Sequence, residues 1–108
     1  MEMRLGELVD RYTVALLYTE RLGEQPEERA RLSRGLDAER ILHPDLPWEG
    51  IIDLMYKING FIWEFEAPIH QGKLDCEPVM AGVLALRVRK LNAMRVGLSN
   101  LIDRIVVK

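Results

Sequence analysis

Cysteine occurs once in these 108 residues, aromatic residues make up only 6%, and proline numbers five. A lone cysteine excludes an internal disulfide framework and any cysteine-based zinc site. No apolar run approaches the roughly 20 residues that a membrane helix needs. The acidic start Met1-Glu2-Met3-Arg4 is unlike a signal peptide. Strand signals are nearly missing too: no period-two alternation of useful length occurs, and no Asn-Gly or Asp-Gly pair joins two such runs. Phosphate loops and dinucleotide fingerprints are absent. With 15 basic and 17 acidic side chains the net charge is −2, which gives no overall reason to expect nucleic acid. What is left, 48% hydrophobic and 30% charged residues, fits a cytoplasmic globular protein. A length of 108 residues accommodates one domain, residues 1–108, and not two.

Glycine and proline divide the chain into four helical stretches. The first runs from about Glu2 to Leu22, with Leu5, Leu8, Tyr12, Ala15 and Leu22 as its apolar stripe and Val9 and Leu16 widening it. Gly23 is placed to end it in a left-handed cap. The second spans about Pro26–Leu42, opened by proline and by Glu27 and Glu28. Only Leu32 and Leu36 give it a seam, so it reads as peripheral, with a possible break near Gly35. The third begins near Trp48, where Ile51, Met55, Ile58, Ile62, Phe65 and Ile69 follow a 4-3-4-3-4 spacing. Its polar stripe is narrow (Asp53, Lys57, Gly60, Glu64), which marks it as the centre of the fold. Pro68 should loosen its last turn. The fourth runs from Pro78 or Val79 to about Val106. Leu84, Leu91, Leu98 and Ile105 recur every seven residues, with Val88, Met94, Leu101 and Ile102 beside them. The expected fold is an all-α antiparallel bundle whose last two helices form a long hairpin.

Charge divides between the two rods of that hairpin. Residues 45–77 hold seven acids and two bases, and residues 78–108 hold six bases and one acid, so −5 faces +5. Complementary flanks of one hairpin account for this. A nucleic-acid stripe would use Arg87, Arg89, Lys90 and Arg95, but no stacking aromatics are interleaved with them.

Candidate chemistry is sparse. Glu66 and His70 are four apart with Pro68 between them, the wrong spacing for a helical di-iron site, so neither a metal nor another cofactor is expected. Cys76 lies between Asp75 and Glu77, which disfavour a thiolate. Arg4, Arg11 and Arg21 on the first helix, with Arg87, Arg89 or Arg95 on the last and Glu64 or Glu66 opposite, could clamp a small anion. Asn59 and Asn92 lie mid-helix, where an amide in an apolar seam usually sets register.

Two blocks carry a resemblance. Gly6-Glu7-Leu8-Val9-Asp10-Arg11-Tyr12-Thr13 resembles the G-E-L-[IV]-D-[KR] opening helix of small uncharacterised helical bacterial proteins. Asn59-Gly60-Phe61-Ile62-Trp63 with Glu66, and then Leu91-Asn92-Ala93-Met94-Arg95, is similar to that group's later helices. The resemblance implies a helical fold and brings no activity with it. It singles out Glu7, Asp10, Arg11, Asn59, Trp63, Glu66, Asn92 and Arg95 as a possible polar network, with Arg11 or Arg95 paired to Glu66 or Asp10.

Two long rods with wide apolar faces exceed what the first two helices can cover. The expectation is therefore a non-enzymatic interaction or assembly protein that homo-oligomerises, as a dimer, through its long hairpin. The alternative is a helical enzyme binding a small molecule or anion in an arginine/carboxylate pocket.

Overall fold

Why four helices hold together as they do follows from where each apolar stripe finds cover. In the computed structural model, which describes residues 3–73 and 77–107, the elements are α1 (Leu5–Leu22), α2 (Pro26–Leu42), α3 (Trp48–His70) and α4 (Pro78–Val107). No strand occurs among the described residues. Met1, Glu2, Asp75, Cys76 and Lys108, which entered the sequence reading, lie outside them.

Boundaries follow local chemistry. Gly23 ends α1 at φ 67°, and the Gly23 and Glu24 N–H groups donate to the carbonyls of Thr19 and Tyr18. Pro26 sits in the first turn of α2, where a missing N–H goes unnoticed. Gly35 does not interrupt α2, which stays helical throughout and buries Leu32 and Leu36. The Trp48 indole N–H donates to the His43 carbonyl at 2.8 Å and pins the turn between α2 and α3. Pro68 is tolerated in the final turn of α3, where the Lys73 N–H reaches its carbonyl at 3.1 Å.

The core has two parts. Leu5, Leu8, Val9 and Ala15 of α1 meet Leu32 and Leu36 of α2, Trp48, Ile51 and Met55 of α3, and Ile102 of α4. Ile58, Ile62 and Val88 form the second part between α3 and α4, with Phe65, Leu91 and Leu98 against it. Leu98 touches both. The central helix is thus α1, which packs on α2, α3 and α4, whereas α3 packs chiefly on α1 and α4. This corrects the expectation that α3 is central: its apolar width outruns its neighbours and leaves Leu54 and Phe61 in solvent. On α1, Leu22 is likewise exposed while Leu17 is buried.

α4 departs furthest from its sequence pattern. Val88 and Ile102 are buried and Leu84, Leu91 and Leu98 half-buried, but Ile105, Met94 and Leu101 lie on the open side with Val79, Met80, Val83 and Leu86. The seven-residue repeat runs obliquely round a helix that turns 100° per residue, so its far end leaves the core.

The N-terminus of α1 has no local cap: the Arg4 side chain makes no capping bond. Asp103 supplies one from α4, its Oδ1 accepting the Gly6 N–H at 2.8 Å. A carboxylate there satisfies an otherwise unpaired donor and faces the positive end of the helix dipole. Asp103→Ala should therefore destabilise the fold by about 1 kcal/mol, read as a lower urea midpoint with an unchanged slope. An unchanged midpoint would show that water caps α1 equally well.

Candidate functional site

The polar residues of greatest interest lie where α1, α3 and α4 converge. Asn59 is 4% exposed. Its amide donates to Asp10 Oδ1 and to Thr13 Oγ1, both at 2.9 Å. The Thr13 hydroxyl, fully buried, donates in turn to the Asp10 carbonyl at 2.8 Å. Arg95 reaches in from α4, its Nε 3.8 Å from Asp10 Oδ1. Asp10 and Thr13 are one helical turn apart, so both face α3. The half-buried Asp10 carboxylate thus ties three helices together.

Of the eight residues singled out by sequence, Asp10, Asn59 and Arg95 come together here. Glu7 and Arg11 pair with each other on the exposed side of α1 at 2.9 Å. Trp63 belongs to another cluster, edge-on to Tyr18 with centroids 4.8 Å apart and with Arg21 5.8 Å from its ring. Glu66 faces His70 at 3.9 Å, and Asn92 is half-buried on α4. The pairing that forms is Arg95 with Asp10, not a contact of either arginine with Glu66. Thr13 was missed by sequence reasoning. Its signal was a buried-face position three residues after an acid, easily mistaken for ordinary helix interior.

A shallow cleft of about 140 Å³ opens beside Asp10, lined by Glu7, Arg95, Val96, Ser99 and Asn100. A second, of about 230 Å³, lies on the other side of Asp10 against Arg11 and Glu28. The Glu28 carboxyl is held below its usual range by its hydrogen bond from Arg31. A larger groove of about 390 Å³ separates α2 from α3 over Leu16 and Ile52. Glu20, Arg40, Glu49 and Asp53 edge it, and the Tyr56 hydroxyl donates to Glu20 Oε1 at 2.7 Å. That bond, with partial burial, raises the Tyr56 phenol above its ordinary value.

The arginines proposed as an anion clamp are spent at separate places. Arg21 pairs with Glu64 at 3.4 Å, Arg87 lies 5.7 Å from the Phe65 ring, and Arg4 and Arg89 are exposed. No group of three or more His, Cys, Asp or Glu among the described residues is placed to hold a metal ion. No helix among them is long and apolar enough to cross a membrane. Compared with known proteins, the chain matches no family model, no curated protein and no solved structure.

Unassigned apolar surface remains along the α3–α4 hairpin. Met94 (54% exposed) and Leu101 (50%) on α4 adjoin Val83, Leu86 and Ile105, and Phe61 (50%) and Leu54 lie on α3. Phe61 stacks on Phe65, which itself lies against Arg87, so Phe61 belongs to the α4 side of α3. These side chains share one face, turned away from α1.

Proposed function

We propose that this chain is a non-enzymatic assembly module that forms a homodimer through the outer face of its α3–α4 hairpin. The observation that carries the reading is that α4 is apolar on two opposite sides, only one of which its own chain covers. An apolar stripe that its own chain leaves uncovered is a surface suited to contact with another protein.

The overall surface agrees in magnitude. The chain exposes 7285 Å², whereas a monomer of 12.5 kDa exposes about 6,200 Å². Its radius of gyration is 15.6 Å, against about 13 Å for a compact domain of this length. The excess, about 1,100 Å², is of the order that one partner contributes to a stable interface, about 800 Å². The alternative, a small anion held by Arg95 beside Asp10, has less behind it. Its cleft is about 140 Å³, below the roughly 300 Å³ at which ligand pockets begin.

Sedimentation at micromolar concentration tests the reading. The expected mass is twice the chain's 12.5 kDa. Leu101→Glu, an exposed change that spares the core, should return it to the single-chain value with helicity intact. A wild-type mass of one chain would overturn the proposal.

A further inference from the structure

The first turns of α4 carry no charge at all. Residues 78–86 read Pro-Val-Met-Ala-Gly-Val-Leu-Ala-Leu, and three bases follow at once, Arg87, Arg89 and Lys90. No acid occurs from Pro78 to Ile102. The stretch is also largely uncovered: Val79 is 79% exposed, and Met80, Val83 and Leu86 are open to solvent with it. We propose that residues 78–90 of α4 are a docking surface for an anionic lipid bilayer, lying along it at the level of the headgroups.

Helix geometry arranges the two kinds of residue as such a surface requires. At about 100° per residue, Val79, Val83, Leu86 and Lys90 fall within about 60° of the helix circumference. Arg87 and Arg89 stand about 80° to either side of Val79. Ala81, Leu84 and Val88 lie on the opposite side, towards the hairpin, and are half-buried or buried. An apolar stripe with arginines on both flanks suits an interfacial helix. Its apolar face sinks to the boundary of the acyl chains while the long basic side chains reach the phosphates.

The bases are free to do so. Among the described residues Arg89 and Lys90 have no ion-pair partner, and Arg87 lies only against the Phe65 ring. On the adjoining turns of α3, Glu66 faces His70 and Glu64 pairs with Arg21. Glu77 is exposed at the start of α4, and exposed Lys73 in the preceding turn offsets its charge. Three unopposed positive charges therefore accompany the bare apolar stripe.

That combination separates a bilayer from RNA, the other extended array of phosphates. RNA would engage the bases and leave Val79, Met80 and Leu86 in water. No aromatic side chain lies among residues 78–90 for a nucleobase to stack on. A bilayer uses both the charge and the apolar stripe. The proposal also stands apart from the dimer reading: Leu101, where that reading is tested, lies about 33 Å further along α4, and Val83 and Leu86 are where the two surfaces adjoin.

Co-sedimentation of the full chain with vesicles tests this, using phosphatidylcholine alone and phosphatidylcholine mixed with phosphatidylserine. The anionic vesicles should bind at least about 10-fold more tightly than the neutral ones. Arg89→Gln with Lys90→Gln should weaken binding to the anionic vesicles by about 20-fold, since each base beside such a surface is worth about fivefold. Val79→Ser with Met80→Ser should weaken it by about 10-fold. Both pairs are exposed, so circular dichroism should be unchanged. Leu101→Glu should keep the preference for phosphatidylserine whatever it does to the mass. An absence of binding to anionic vesicles would overturn the proposal. So would a loss confined to the charge variant, or single-stranded RNA bound while vesicles stay free. Loss of the preference in Leu101→Glu would move lipid binding to the dimer face and overturn it as well.

Discussion

Gly6→Ala is expected to destabilise the protein by about 3 kcal/mol or more, although alanine is the better helix former. A Cβ at position 6 would fall on the Ser99 carbonyl oxygen and stand 2.5 Å from Ser99 Oγ. Backbone is the obstacle, so no side chain can rotate out of the way. α1 and α4 would have to separate, which also strains the bond from the Gly6 N–H to Asp103. Gly50→Ala provides the contrast. Position 50 meets nothing within 4 Å, and there alanine should add up to about 1 kcal/mol through helix propensity alone. Thermal melts of the two variants should move in opposite directions from wild type, with the Gly6 variant down by more than about 10 °C. A Gly6 variant melting with wild type would show that the close approach of α1 and α4 contributes little.

Asn59→Asp should be nearly as damaging, and its damage should depend on pH. At neutral pH it removes two donated hydrogen bonds and buries a carboxylate against Asp10, whose Oδ1 lies 2.9 Å from the Asn59 amide nitrogen. Arg95, at 3.8 Å, offsets part of the repulsion. The expected loss is about 3 kcal/mol at pH 7. Burial and the neighbouring carboxylate raise the new group's folded-state value above its unfolded value of about 3.9. Its penalty relative to wild type is then smallest below that unfolded value and grows as pH rises through the folded one. Urea midpoints for variant and wild type should approach each other towards pH 3.5 and diverge by pH 7. A constant gap across that range would mean that Asn59 acts through shape rather than through its amide.

Local signals made much of the fold legible. Gly23 and Pro26 mark the turn between α1 and α2, and Leu32 and Leu36 are the buried residues of α2. Ile51, Met55, Ile58 and Ile62 of the α3 seam are buried as their spacing implies. What stayed hidden depended on neighbours. Periodicity reports how wide an apolar face is, not how many helices one chain can lay against it, so α3 looked central where α1 is. Met94, Leu101 and Ile105 looked like core for the same reason. Of the polar residues, Asn59 stood out as an amide in an apolar seam, whereas Asp10 and Arg95 entered the network only through the resemblance. Thr13 breaks no pattern, and Asp103, though the one acid among the bases of residues 78–108, gives no sign of its partner; those partners lie 46 and 97 positions away.

That last separation has a consequence for how the chain is made. The Asp103 carboxylate of α4 accepts from the Gly6 N–H on the first turn of α1, so α1 cannot acquire this cap until residue 103 has been synthesised. At about 5–20 residues per second, the interval between those two positions lasts roughly 5–20 s on the ribosome. During it α1 can pair with α2 and then α3, but its N-terminal turn stays frayed. α4 is the clasp, and its arrival closes a loop between positions 97 residues apart.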